Sequence, residues 1–435
     1  MTQQIEKNRM KIMVKKFGFL WLLLSLITAQ VWGQKLSAEE QQIISYVDAH
    51  KDEAVSLLEK VVNIESPTQN LKGVKDVGLI FKPEFETLGF TAKWIEMPLE
   101  MKRAGHLVAE HSGTKGKKIL LLGHLDTVLS GEKFRREGNK AFGTGSSDMK
   151  AGDVVMLYAL KALQNSGVLK DSQIIVMFTG DEEASGHPKE ISRGDMFAVA
   201  KRSDLALSFE GAVGNTGTVG RRGSSSWSLE VNGETGHSAG IFGERMGSGA
   251  IFEASRIINQ FYEQLHGEKY LTFNPSIIVG GTEAELKIST GTANGKTNVV
   301  PAKVIVRGDL RFISEEQKES TRAKMREIVA KNLPKTSAKI SFEDGIPAMF
   351  PSPENYKLLE QLSKVSEDLG YGKIEALDPG ERGAGDVAYI SNIIPGLDGL
   401  GANGRNAHAP GEYADLESMP MLIKRTAVLI YRLTR

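Results

Sequence analysis

The chain has 435 residues, 40% hydrophobic and 25% charged, a globular composition long enough for a large core or two, so disorder is not the default expectation. Lys plus Arg and Asp plus Glu both number 54, so no net field draws the protein to nucleic acid or an anionic membrane, and a small, locally recognised substrate is expected. There is no cysteine, which removes disulfides, thiolate metal sites and cysteine nucleophiles and leaves His, Asp and Glu as metal donors.

Lys7, Arg9, Lys11, Lys15 and Lys16 precede an apolar run over 17–29, and polar sequence resumes at Gln34. That is the layout of a secretory signal peptide over 1–33, with Val31 and Gly33 small enough for cleavage, and it predicts an exported protein, periplasmic or secreted. The run is shorter than the ~20 residues that cross a bilayer, so no stable membrane anchor is expected. Ile43, Ile44, Val47, Val55, Leu58 and Val61 recur at helical spacing over 38–63, and another helix is expected over 73–88, stopped by Gly89. Short apolar runs over 106–110, 118–122 and 173–178 then alternate with a helix over 152–165, which predicts a central sheet between helical layers. Periodicity fades over 211–223, marking a crossing between domains. The segments 227–231, 248–265, 275–279, 304–312, 315–331 and 338–342 read β-α-β-β-α-β, a split βαβ unit. Helices over 355–369 and 420–433 return to the first domain. The expected organisation is α/β: a domain in two parts, 34–220 and 347–435, with an α+β domain of residues 221–346 inserted.

Three apolar runs end in acids or imidazole: His124 and Asp126 after the first, Glu182 and Glu183 after the second, Glu210 after the run over 205–209. Strand ends are where ligands gather in α/β sheets, so these groups mark one crevice. On an extended backbone His124 and Asp126 point the same way, and the carboxylate can bind or orient the imidazole. Asp148, in the glycine-rich approach Gly143–Gly152, could cap the following helix or bind a cation. Two adjacent glutamates at a buried strand end repel unless a dication relieves them; an exposed acidic loop is the plainer alternative. With a metal present, one glutamate can ligate while its neighbour takes a proton from water. His408 sits in a loop before the last helix. Together, His124, Asp148, Glu183, Glu210 and His408 offer enough donors for two metals sharing a carboxylate. His50, His106, His111, His187 and His266 lack acid partners at useful spacing and are expected to be packing or surface residues.

The ordered strings GHLDTV, GTGSSDMKAG, TGDEEASG, SFEGA, GETGHSAG, NVVPA and NAHAPGEYADL resemble the zinc-dependent amidohydrolases grouped as family-twenty metallopeptidases. These include glutamate carboxypeptidase, aminoacylase, acetylornithine deacetylase, succinyl-diaminopimelate desuccinylase and tripeptidase, and the bacterial glutamate carboxypeptidase branch is the nearest in pattern. The resemblance implies a zinc-exopeptidase-like three-layer catalytic domain with an inserted ferredoxin-like lid that makes a homodimer. It implies two Zn2+, with Co2+ or Mn2+ able to serve: His124 and Glu210 on one, Glu183 and His408 on the other, Asp148 bridging. Asp126 would orient His124, and Glu182 would activate a metal-bound water. His237 would reach the partner's site to stabilise the oxyanion, and Asn298 and Arg311 would hold a substrate carboxylate. The implied reaction is carboxypeptidase-like hydrolysis of a peptide or N-acyl amide bond beside that carboxylate; an N-acyl-amino-acid deacylase or a dipeptidase would use the same centre. A non-catalytic binding homologue would have lost a ligand or the base, and none is lost. Where many relatives have Gly-Gly-Thr-Asp, this chain reads Gly383-Ala384-Gly385-Asp386, so the resemblance does not carry over a substrate contact from that threonine, and no metal ligand is touched. Arg222, Arg382 and Arg405 are candidates for meeting an acidic substrate side chain.

Overall fold

The computed structural model describes residues 36–435, so the leader expected over 1–33 lies outside the described residues. Helices α1 (Ala38–Ala49), α2 (Lys51–Val62) and α3 (Leu71–Thr87) come first. The Asn70 side chain caps α3 by accepting the Gly73 N–H at 3.1 Å, satisfying one of the donors a helix start leaves free. Strands β1 (Thr91–Ile95), β2 (His106–His111) and β3 (Lys115–His124) follow, then α4 (Ala151–Asn165), β4 (Ser172–Thr179) and β5 (Leu205–Ser208). Helix α4 is buried around nearly its whole circumference, as its Ala, Val, Leu and Met content demands.

The inserted unit comprises β6 (Gly223–Gly233), α5 (Gly249–Leu265), β7 (Thr272–Gly281), β8 (Lys303–Phe312), α6 (Glu315–Val329) and β9 (Thr336–Asp344). Helix α7 (Pro353–Asp368), the short strand β10 (Gly396–Leu397) and helix α8 (Met419–Leu433) complete the first unit. The six-stranded sheet runs β1-β2-β4-β3-β5-β10. Strands β4, β3, β5 and β10 are mutually parallel, while β1 and β2 add antiparallel edges. One core on its first face gathers Phe81, Phe85, Val154, Leu157, Phe178 and Leu429; a second, on the other face, gathers Leu120, Leu122, Met177, Met196, Val387 and Ile390. The three expected layers are therefore present.

The inserted sheet is wholly antiparallel in the order β7-β8-β6-β9, the crossing order of a split βαβ unit. Along β8 burial alternates with period two: Val304, Val306, Leu310 and Phe312 pack with Ile257 and Phe261 of α5 and Met325 of α6. The same alternation puts Asp309 and Arg311 on the face away from those helices. Gly308 on β8 is required by close approach, since a Cβ there would lie 2.2 Å from the Trp227 indole. A two-stranded hairpin, Glu283–Leu286 with Gly291–Asn294, extends this unit beyond the expected elements. Among the described residues no helix is long and apolar enough to cross a membrane.

Candidate metal centre

Parallel neighbours end together. His124 closes β3 and pairs in register with Thr179, which closes β4, while Leu122 pairs with Ser208 of β5; two residues on, Glu210 comes level with His124. Residues 180–183 leave β4 on the same side. Asp148 arrives from the loop before α4, and His408 from a loop in which Asn406 and His408 both adopt left-handed backbone, φ +62° and +63°. Such conformations cost of order 1 kcal/mol or more outside glycine and persist only when the surroundings hold them. Here the Asn406 amide donates to the Gly411 carbonyl at 3.2 Å, and the Gly411 N–H to Glu132 at 2.9 Å.

The groups converge on Asp148. One of its carboxylate oxygens lies 3.2 Å from His124 Nε2 and the other 3.0 Å from His408 Nε2. Glu210 approaches His124 Nε2 at 3.7 Å, and Glu183 approaches His408 Nε2 at 3.2 Å. Three overlapping sets, His124/Asp148/Glu210, Asp148/Glu183/His408 and His124/Glu182/Glu183, each bring their donor atoms within 4.8 Å of one another. The chain thus carries a candidate metal site at His124, Asp148 and Glu210, with a second set sharing Asp148.

Crowded like charges shape its electrostatics. Burial and the neighbouring Glu210 hold the Glu182 carboxyl well above its ordinary range, and burial pushes Glu210 up to about 7 against the pull of Arg221. Burial raises Glu183 too, with His408 opposing it. Asp148 goes the other way, because two imidazoles outweigh its burial. Burial disfavours a charged His124, yet Asp126 and Asp148 hold it well above its usual value, and Asp148 with Glu183 lifts His408 to about 10. Held protonated by the acids around them, the two imidazoles offset part of the carboxylate repulsion. Divalent cations relieve the same repulsion with the same donors, so the residues present fit a pair of them.

Asp126 is fully buried, but its carboxylate does more than face His124. His124 Nδ1 lies 3.0 Å from the Asp126 carbonyl oxygen and 3.5 Å from the carboxylate. That carboxylate accepts the backbone N–H groups of Glu182 at 3.0 Å and Glu183 at 3.1 Å, and the Thr68 hydroxyl at 2.6 Å. It ties the glutamate turn to the histidine strand. Glu412 plays the corresponding part for Asp148: it accepts backbone N–H groups from Gly145, Ser147 and Asp148 at 2.7, 2.8 and 2.9 Å. His106 is buried and takes the Gly180 N–H at 3.2 Å, bracing the start of the glutamate turn. Under that turn the buried Arg193 bridges Asp181 at 2.6 Å and Asp386 at 2.9 Å. Thr68, Arg193 and Glu412 escaped the sequence argument as site residues; for Glu412 the clue was its place four residues after His408 in one loop.

Two cavities flank Glu182 and Glu183. One, about 320 Å³, is lined by Asp148, Glu210, His408, Arg221, Arg382 and Arg405. The other, about 620 Å³, opens toward the inserted sheet and is lined by Arg103, Lys189, Asp309 and Arg311. Arg311 pairs with Asp309 at 2.8 Å. His237 and Asn298 are exposed and close together on the inserted unit, where the Ser238 N–H donates to the Asn298 carbonyl at 2.9 Å; neither lines these cavities. Arg222 is a correction: it reaches Thr272 and the Gly380 carbonyl, and it is its neighbour Arg221 that lines the cavity.

Residues 120–432 match the model of peptidase family M20/M25/M40. The chain is similar to carboxypeptidase G2 of Pseudomonas sp. (strain RS-16), 29% identical over 421 residues that cover 93% of this chain and 95% of that protein. In fold it is similar to the aminopeptidase PepT of Bacillus cereus ATCC 10987, with a TM-score of 0.71 at 18% identity, covering 88% of this chain and 99% of that one. It is also similar in fold to Bacillus subtilis YXEP, a dinuclear metal binding peptidase, with a TM-score of 0.62 at 15% identity, covering 89% and 99%.

Proposed function

The chain belongs to peptidase family M20/M25/M40, a family of metal-dependent hydrolases, and from that premise we propose that it is a carboxypeptidase-like enzyme cleaving a peptide or N-acyl amide bond next to a free carboxylate. The observation that carries this reading is the Asp148 carboxylate, one oxygen facing His124 and the other His408, with Glu182 beside it in the cavity wall. His124 and Glu210 would hold one divalent cation, Glu183 and His408 the other, and Asp148 both; zinc suits these donors, as cobalt or manganese would. Bound there, the pair would supply Lewis acidity, polarising the scissile carbonyl and acidifying water.

The chain's own groups do the proton work. Glu182, raised by burial and by Glu210, takes a proton from the attacking water on its carboxylate and delivers it to the departing amide nitrogen. Asp126 holds the Glu182 and Glu183 N–H groups and so fixes where that carboxylate stands. Arg311, lining the larger cavity with Glu182, receives the terminal carboxylate through the paired donors of its guanidinium. His237 and Asn298, exposed on the inserted unit, act on the site of a second copy of the chain. The likeness to carboxypeptidase G2 supports a carboxypeptidase over other members of the family.

Glu182→Gln tests the base. With metal content checked by elemental analysis and turnover followed on a panel of N-acyl amino acids and dipeptides, kcat falls roughly 10²–10⁴-fold while bound metal stays at the wild-type level. A variant that keeps both metal and near-wild-type turnover removes Glu182 from this role.

A further inference from the structure

The smaller cavity has an acidic side, made by the candidate metal ligands, and a basic side that those ligands leave unexplained. Arg221 is buried, with Nε donating to the Gly383 carbonyl at 2.9 Å and Nη1 3.3 Å from Asp398. Arg382 Nη2 lies 3.6 Å from the same Asp398 oxygen. Gly385 makes this arrangement possible, since a Cβ there would sit 1.7 Å from Arg221 Nη1. Two guanidinium groups therefore share one fully buried carboxylate. The next acid, Glu210, lies 3.8 Å from Arg221 and belongs to the candidate metal set, where a cation would claim its charge. Nε and Nη2 of Arg382 are buried and have no hydrogen-bond acceptor among the described residues. Arg405, on the loop that carries His408, adds a third guanidinium to this wall and forms no ion pair among the described residues. Buried guanidinium donors left over after the protein's own acids are counted are a binding site for an anion.

We propose that Arg382, supported by Arg221 and joined by Arg405, binds a carboxylate on the acyl side of the scissile bond, so that the enzyme prefers substrates whose acyl group is itself acidic. The side follows from the placement of the two cavities, and here the inference rests on the proposed function. With the terminal carboxylate of the leaving amino acid at Arg311, on one side of Glu182 and Glu183, the acyl portion extends into the other cavity, toward Arg382. A neutral acyl group would leave the guanidinium groups desolvated without a partner, whereas a dicarboxylic acyl group, or an acidic residue before the bond, supplies the missing acceptors.

Two matched comparisons test this on the full, metal-loaded chain. Hydrolysis is measured for one amino acid carrying a succinyl or a succinamoyl group, and separately for glutamate or glutamine as the leaving residue under one acyl group. Binding of free succinate and succinamate is measured by calorimetry. The wild type favours the charged acyl group ~10- to ~100-fold in kcat/KM and binds succinate more tightly than succinamate; Arg382→Met erases most of that ratio, and Arg405→Gln reduces it. Equal rates for the two acyl groups, or a ratio that survives Arg382→Met in a variant with wild-type metal content, overturn the proposal. A preference that appears only in the leaving-residue series overturns it too, by moving the basic wall to the other side of the bond. If Arg382→Met does not fold, Arg405→Gln on its exposed loop decides. Absence of hydrolysis across both series with succinate still favoured in calorimetry strikes the hydrolase reading and leaves the anion site standing.

Discussion

Glu412 touches neither a candidate metal position nor the attacking water, yet three backbone N–H groups of the Asp148 loop end on its carboxylate. It acts through Asp148 and is a positioning residue. Groups that orient metal ligands typically account for 10- to 100-fold in metal affinity. Glu412→Ala should therefore weaken metal binding by about that factor in competition with a chelator, and Glu412→Gln, which keeps one acceptor, should recover part of it; equal affinity in all three proteins would rule the role out. The protonation of the cluster makes a second prediction. In the metal-free protein Asp148 and Glu183 keep His408 protonated up to about 10, so at neutral pH an entering cation displaces a proton. Affinity then rises with pH between 6 and 8, by up to roughly tenfold per unit for each proton displaced. An indicator titration that shows the same affinity at both ends of that range would contradict it. The residues of the candidate metal set were legible in the sequence because each stands at the end of an apolar run or in a glycine-containing loop. Their supports were not: Glu412 and Asp148 lie 264 positions apart, and no local pattern announces a hydrogen bond over that distance.

The regular elements were legible for a related reason. Strands β3, β4 and β5 read as apolar runs because both their faces are covered, and α5 to α7 read as helices because each packs one stripe. Strand β1 and the hairpin of Glu283–Leu286 with Gly291–Asn294 carry no such signal, since their residues are largely exposed or only half covered. Helix α4 holds an anomaly that only coordinates reveal. Asp153 is fully buried in its first turn, neither carboxylate oxygen has a hydrogen-bond partner among the described residues, and burial holds its acid well above the usual range. The folded chain thus keeps a proton that the unfolded chain releases, so this group takes stability away as pH rises past the ordinary aspartate value near 3.8. Asp153→Asn keeps the shape and removes the ionisation. In chelator-treated protein its melting temperature should exceed the wild type's by about 2 °C or more at pH 8, with the gap narrowing toward pH 5. A wild type that is the more stable at pH 8 would show that the ionised carboxylate is stabilised in place.

At the scale of the molecule, the candidate site residues come from two different sheets. The mixed sheet carries His124, Glu182 and Glu210 at or just beyond its strand ends, and the antiparallel sheet carries Arg311, while His237 and Asn298 sit on loops of the inserted unit. The inserted unit also exposes Phe252 and Tyr262 on α5 and Phe242 beside the His237 loop, apolar surface of the kind that subunit contacts cover. If a second copy completes each site through its His237, specific activity should fall on dilution in step with the loss of dimer seen by sedimentation. Activity that stays constant down to monomer would place every working group within one chain. The span from Asp148 to the loop of His408 and Glu412 also sets a clock. A ribosome adding 5–20 residues each second needs on the order of 10–50 s to travel from one to the other, and over that interval the emerging polypeptide gathers His124, Asp148, Glu183 and Glu210 but still lacks His408 and the Glu412 carboxylate that holds the Asp148 loop. Until the segment bearing His408 and Glu412 has been added and has docked against Asp148, the candidate centre is incomplete.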